Sequence, residues 1–104
     1  MTNHFTRIAE DPIIQVIAAT ANLADVNMEE LCASRQPWAF LARSAAMWVM
    51  RNHMNLKLKE IGDAFGKDYR SVIHSVKRAE EMMKTKPDMA WIKDQIVNQL
   101  EATQ

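Results

Sequence analysis

Side chains that bind phosphates and base edges are concentrated in residues 56–78, LKLKEIGDAFGKDYRSVIHSVKR. Arginine can donate two hydrogen bonds to guanine in the major groove, and serine, tyrosine and lysine commonly bind bases or phosphates. The stretch holds all four types, with tyrosine, arginine and serine adjacent at residues 69–71. These side chains suit contact with duplex DNA.

Two helices joined by a tight turn would position these side chains. Apolar residues recur at helical spacing on both sides of Gly66: Leu58, Ile61 and Phe65 before it, and Val72, Ile73 and Val76 after it. Gly66 suits a turn that needs a positive φ. Gly62 costs a helix roughly 1 kcal/mol relative to alanine unless another backbone passes close by, as crossed helices require. The pattern predicts a helix-turn-helix.

The second helix of this motif has a start signal at Asp68. Its carboxylate can accept hydrogen bonds from the free amides of Arg70 or Ser71, and its charge suits the positive end of a helix. In a helix-turn-helix bound to DNA, the first turn of the second helix meets base edges in the major groove. We therefore expect base contact from this turn, with Arg70 as the main discriminating residue.

Residues 60–78, EIGDAFGKDYRSVIHSVKR, resemble the signature of the C-terminal DNA-binding domain of the bacterial replication initiator DnaA, which typically reads E-I-G-x-A-F-G-G-R-D-H-T-T-V-x-H-A. The resemblance extends more weakly over residues 13–100. It implies one all-α domain over residues 1–104, of DnaA C-terminal or Trp-repressor-like fold, with five to six helices around a central helix-turn-helix. It also implies sequence-specific binding of double-stranded DNA, in transcription regulation or at replication sites of a bacterium or phage.

This chain departs from the family signature at the base-reading positions. One residue is missing between Gly66 and Asp68, and tyrosine and arginine replace histidine and threonine. If the family positions carry over, Asp68, Tyr69 and Arg70 read bases and Ser71 contacts a phosphate. The target sequence should then differ from the usual initiator box.

Other expected contacts lie around the motif. Lys57 and Lys59 would meet a phosphate at the start of the first helix, and Arg35 and Arg43 remain where the family has a basic segment that reaches the minor groove. His74 aligns with a family histidine and is either a phosphate contact or a partly buried, hydrogen-bonded side chain. The full expected set is Arg35, Arg43, Lys57, Lys59, Lys67, Asp68, Tyr69, Arg70, Ser71, His74, Lys77 and Arg78.

Aromatic residues leave a second interpretation open. Trp38 and Phe40 stand where the family has polar or basic residues, and we expect them to pack against the core rather than wedge between bases. An exposed pair would instead indicate a protein partner. The alternative function is an interaction module that keeps the fold without binding DNA and uses Trp38, Phe40 and Trp91, together with the acidic N-terminal helix, for a partner or for self-association.

The charge distribution supports the DNA-binding interpretation although the formal net charge is zero. Residues 35–86 hold eleven bases against five acids, or +6, whereas residues 1–34 hold one against five, or −4, and residues 87–104 one against three, or −2. Only the local charge enters counterion release from DNA. The middle of the chain can therefore face phosphates.

Start and stop signals predict the remaining helices. Asp11 and Pro12 open a helix to about Ala24, and Asn27 with Glu30 forms a capping box for a short helix through Leu31 or Cys32. Pro37 opens what we predict to be the longest helix, which ends near residues 52–55. The second motif helix should run to about Lys84 and a last helix should follow Pro87. No stretch has the period-two alternation of a strand.

Composition and motifs argue against other classes. With 48% hydrophobic and 25% charged residues and no apolar run near the ~20 residues of a membrane span, we expect no membrane association. The N-terminus lacks a secretory pattern and Cys32 is the only cysteine, which indicates the cytoplasm, at the nucleoid when DNA is bound.

Catalytic and metal-binding signatures are also missing. There is no GxxxxGK[ST] loop, nucleophile elbow or HExxH pattern, and His4, His53, His74 and Cys32 have no recognised metal spacing. We expect no enzyme, metal or cofactor, and no complete replication initiator, because its ATPase module is absent from this sequence.

Overall fold

The computed structural model describes residues 11–102, in which helices are joined by short loops and no strand is present. Its helices are α1 (Pro12–Ala24), α2 (Met28–Ala33), α3 (Pro37–Trp48), α4 (Leu58–Phe65), α5 (Tyr69–Thr85) and α6 (Pro87–Ala102), and α3 continues into a π-helical turn (Val49–His53). The all-α prediction with a central helix-turn-helix, α4 and α5, is confirmed.

Local capping explains the starts of the first two helices. The Asp11 carboxylate accepts hydrogen bonds from the amides of Ile13 at 2.9 Å and Ile14 at 3.3 Å. The Asn27 side-chain oxygen accepts one from the Glu30 amide at 2.7 Å. Both predicted starts are confirmed, because a cap is decided by residues three positions apart.

The helical backbone that begins at Pro37 ends at His53, inside the predicted range of residues 52–55, but the prediction that it forms the longest α-helix is wrong. It begins at Pro37 as expected, but it is α-helical for 12 residues before the π-helical turn, whereas α5 is the longest helix with 17 residues. The chain leaves the turn with Asn55 in the left-handed region at φ 58° and with the Leu56 amide bonded to the Met50 carbonyl at 2.9 Å. The wider turn thus redirects the chain toward α4.

The core lies on α3 and its π-helical turn. Ala45, Ala46, Val49 and Met50 are fully buried, and α5, α1 and α6 all pack against this segment. The other helices contribute large buried side chains: Val16, Leu31, Ile61, Val72 and Ile96. Each such side chain contributes roughly 1.5–3 kcal/mol of hydrophobic stabilisation. The buried side chains Ile61 and Val72 therefore anchor the helix-turn-helix to the core.

Two glycines set the crossing of α4 and α5. Gly66 ends α4 in the left-handed region, at φ 67° and ψ 33°. A Cβ atom at Gly62 would overlap the backbone carbonyl oxygen of Lys67, whose own amide donates to the Gly62 carbonyl at 2.8 Å. Both glycine roles predicted for the motif are confirmed.

Within residues 11–102, no helix has both the length and the apolarity to cross a bilayer, and no group of three His, Cys, Asp or Glu side chains could hold a metal ion. His4 and the N-terminal stretch that lacks a secretory pattern lie outside these residues.

Candidate nucleic-acid interface

The first turn of α5 is capped by Asp68. Its side-chain oxygen accepts a hydrogen bond from the Ser71 amide at 3.0 Å. This bond, aided by the Arg70 amide and the Arg70 charge against a smaller desolvation effect, holds the pKa of the Asp68 carboxyl below its ordinary value. The capping stabilisation is therefore present above the unfolded pKa of this carboxyl and is lost as pH falls through the lower folded value.

The side chains after this cap are exposed. Tyr69 is 51% exposed, and Arg70 and Ser71 are also exposed. The Arg70 guanidinium carbon lies 5.8 Å from the centroid of the Tyr69 ring. These two long side chains thus extend together from the first turn into solvent, where they are free to meet a ligand.

The start of α4 lies on one side of this turn. The Glu60 carboxylate accepts from the Lys57 amide at 3.0 Å and thereby caps α4. Lys59 Nζ lies 3.0 Å from Asp63 Oδ2, and both side chains are exposed. A shallow depression joins Leu58, Lys59 and Asp63 to the start of α5, with Lys67 between the two helices.

On the other side, a groove runs between α3 and α5. Its volume is about 590 Å³, and it is lined by Arg35, Pro37, Phe40, Leu41, Ser44, His74, Ser75, Arg78 and Met82. A second depression beside it contains Lys67 and Ser71. Among the described residues that line either one, none is acidic. The groove therefore presents Arg35 and Arg78 along the later turns of α5, and the depression beside it adds Lys67 at the first turn.

Arg43 is placed differently from the sequence-based expectation. Only 5% of it is exposed, and its Nη1 donates to the carbonyl oxygens of Leu31 and Ser34, each at 2.8 Å. Burial lowers the pKa of the guanidinium, against a smaller opposing effect of Cys32. A direct phosphate contact does not fit this environment, because the side chain is almost fully buried and its Nη1 is directed at the two carbonyl oxygens. Arg43 instead holds the loop that carries Arg35.

The aromatic residues divide into two kinds. Trp38 is half-buried and packs against the core, as expected. Phe40 is 55% exposed, so the prediction that it packs inside is wrong, and Trp91 on α6 is 57% exposed. Ala39 is the only residue of α3's first five that is buried. This end of α3 lies at the edge of the core, where hydrophobic spacing no longer predicts burial.

The remaining expected contacts are on the surface. Arg35, Lys57, Lys67, Lys77 and Arg78 are exposed. His74 is exposed too, which contradicts the partly buried alternative for it. It lines the groove between α3 and α5.

Arg51 is a positioning residue that sequence reasoning missed. It lies in the π-helical turn and donates from Nη1 to the Leu56 carbonyl oxygen at 3.0 Å, which ties the turn to the segment before α4. Its only sequence signal was its place in the basic middle of the chain.

Known proteins resemble this chain across most of its length. A family model described as bacterial dnaA protein helix-turn-helix matches residues 13–79. The chain is 30% identical over 94 residues to the chromosomal replication initiator protein DnaA of Thermotoga petrophila, which covers 88% of this chain and 21% of the relative. The same-named protein of Picosynechococcus sp. is 31% identical over 101 residues, covering 95% of this chain and 22% of that protein.

A third relative, chromosomal replication initiator protein DnaA of Crocosphaera subtropica, is 36% identical over 80 residues, or 75% of this chain and 17% of its own length. The chain spans about a fifth of the length of these relatives. The match includes all of α4 and the exposed first turn of α5. The chain therefore belongs to the bacterial DnaA helix-turn-helix family, whose fold supports binding of double-stranded DNA.

Proposed function

We propose that this protein binds specific sequences of duplex DNA and acts as a regulator, either of transcription or by occupying replication sites. The observation that carries the proposal is the exposed first turn of α5, where Tyr69 and Arg70 follow the Asp68 cap in a member of a DNA-binding family. Such a turn is the part of a helix-turn-helix that reads base edges.

The proposed docking places α5 in the major groove. Arg70 reads guanine, with Asp68 and Tyr69 at neighbouring base edges and Ser71 at a phosphate. Lys57 and Lys59, at the start of α4, meet one backbone strand, where the free amides of the helix also favour anions. On the other side Lys67, Lys77 and Arg78 contribute charge and His74 can donate a hydrogen bond to a phosphate, and these contacts do not read sequence.

Arg35 completes the proposed contact set and Arg43 is left out of it. Arg35 is exposed in the loop that Arg43 holds, and it lines the groove beside α5. An arginine at this position can enter the minor groove next to the occupied major groove. Arg43 then acts by positioning its neighbours and makes no contact with DNA itself.

We propose that residues 1–104 act by occupying DNA sites. They contain no phosphate-binding loop motif of an ATPase. Such a protein would work in the cytoplasm, at the nucleoid. The interaction-module alternative has no support from the relatives, and Trp38 is not available as an exposed aromatic.

Selection of bound sequences from a random duplex library tests the proposal. We expect enrichment of a short motif that contains a guanine, with wild-type protein, and loss of preference at that guanine with Arg70→Ala. Binding without enrichment would reject sequence specificity. Absence of binding to any duplex at low salt would reject the proposed function.

A further inference from the structure

An exposed apolar ring stands beside the proposed DNA contacts. Phe40 is 55% exposed and lines a depression that also contains Lys67, Ser71 and His74. The neighbouring Leu41 is 38% exposed. Contiguous apolar surface rimmed by polar residues can mark an interaction site, and here Phe40 and Leu41 adjoin the helix that would enter the major groove.

The Phe40 ring is held by a buried cation. The guanidinium carbon of Arg43 lies 5.0 Å from the ring centroid, within the distance at which a cation attracts an aromatic face. Arg43 is itself fixed by its two hydrogen bonds to the carbonyls of Leu31 and Ser34. The ring is therefore held at the surface by a rigid support.

The charges around the ring suit a polyanion. Arg35 and Arg78 line the groove beside Phe40, and Lys67 lines the adjoining depression. In the part of the chain that the structure describes, neither lining includes an aspartate or glutamate. An apolar ring surrounded by cations suits a groove of a nucleic acid, where the bases and sugars lie between two rows of phosphates.

The geometry of duplex DNA identifies the groove that Phe40 would meet. With the first turn of α5 in the major groove, one backbone strand would follow the groove between α3 and α5, and the minor groove lies directly beyond that strand. Phe40 and Arg35 line the α3 side of this groove, which is the side that would face the minor groove. We propose, on the basis of the proposed function, that Phe40 enters the minor groove beside Arg35 as an apolar wedge and bends the duplex there, as inserted phenylalanines do.

The test measures affinity and bending on the selected duplex, labelled at both ends for energy transfer. Phe40→Ala should weaken binding about tenfold, the size expected for losing the burial of an exposed phenyl ring, and should straighten the duplex. Its salt dependence should stay unchanged, because no charge is removed. Phe40→Leu, which keeps an apolar wedge, should retain most of the bend and affinity.

Trp91→Ala is the matched control, because Trp91 is equally exposed but lies on α6. It should alter neither affinity nor bending, and thermal melts should show that all three variants are folded. A Phe40→Ala protein with wild-type affinity, or with weaker binding but an unchanged bend, would overturn the wedge. If either result is found while the wild type binds duplex DNA with the expected salt dependence, only the wedge proposal is rejected and the proposed function stands.

Discussion

Arg43 donates a hydrogen bond at 2.8 Å to the carbonyl oxygen of Ser34, nine residues earlier in the chain. The same nitrogen reaches the Leu31 carbonyl, so one buried guanidinium joins the end of α2, the loop before α3 and α3 itself. The loop that carries Arg35 is thereby fixed beside α5. Arg43 and Arg35 thus have separate roles.

Arg43→Met should lower the free energy of unfolding by about 2–3 kcal/mol, because it leaves two carbonyl groups without their charged donor. The exposed Arg35→Ala is the control: its stability should stay within about 0.5 kcal/mol, while its affinity for DNA falls. Urea unfolding and DNA titrations measure both. An Arg43→Met protein with wild-type stability and lost DNA binding would instead place Arg43 at a phosphate.

Binding to duplex DNA should weaken steeply with salt. Each neutralised phosphate releases about 0.9 of a counterion, so four to six phosphate contacts give a slope of log K against log salt of roughly −4 to −6. Titrations of one duplex at several sodium chloride concentrations measure it. A flat response would favour a protein partner for this surface.

Lys59 and Asp63 should have opposite effects on DNA affinity. Lys59→Ala should weaken binding to every duplex alike and reduce the salt slope by about one, as expected for a phosphate contact. Asp63→Asn should strengthen binding, because it removes a negative charge 3.0 Å from the Lys59 amine. Neither change should alter stability by more than about 1 kcal/mol, since both side chains are exposed.

These two variants are compared on the selected site and on an unrelated duplex. A changed sequence preference in Lys59→Ala would mean that α4 does not approach the backbone as proposed. Weaker binding by Asp63→Asn would mean that the pair with Asp63 positions Lys59 rather than competing with the phosphate for it.

Arg70 should determine which base is preferred at one position of the target site. A guanidinium that binds guanine through two hydrogen bonds contributes roughly 1–3 kcal/mol of discrimination. Arg70→Ala should lose about that much on the selected site and flatten preference at one guanine, with little loss on unrelated DNA. Arg70→Lys keeps the charge but loses the planar guanidinium that donates two parallel hydrogen bonds. It should therefore retain affinity for DNA in general without the preference for guanine. An equal loss on all single-base variants of the site would assign Arg70 to a phosphate.

Gly62→Ala should cost about 1–3 kcal/mol of stability, because the new methyl group would press on the Lys67 backbone. It should also reduce the affinity of the folded protein, since α4 and α5 must separate. Gly66→Ala is the control: its Cβ would meet open space, so only the positive φ is strained, at about 1–2 kcal/mol. A more stable Gly62→Ala would show that helix propensity outweighs the contact.

Local features could be predicted well from the sequence. Asp11, Asn27 and Asp68 begin helices where expected, and Gly66 turns the chain at a positive φ. Each depends on residues a few positions apart, whose hydrogen bonds and steric limits are the same in almost any fold. The helix-turn-helix and the position of its candidate base-reading turn follow from the same local rules.

The placement of side chains on α3 could not be predicted in this way. Phe40, Arg43 and Met47 have the spacing of a single helix face, yet the phenylalanine is exposed while the arginine and the methionine are buried. Which of them is covered depends on where α2 and α5 cross α3, and these contacts join residues far apart in the chain. Sequence pattern therefore determined the motif and its candidate base-reading turn. Only the tertiary structure decided that Arg43 supports the Arg35 loop from inside and that Phe40 faces outward, because burial is set by the packing of whole helices.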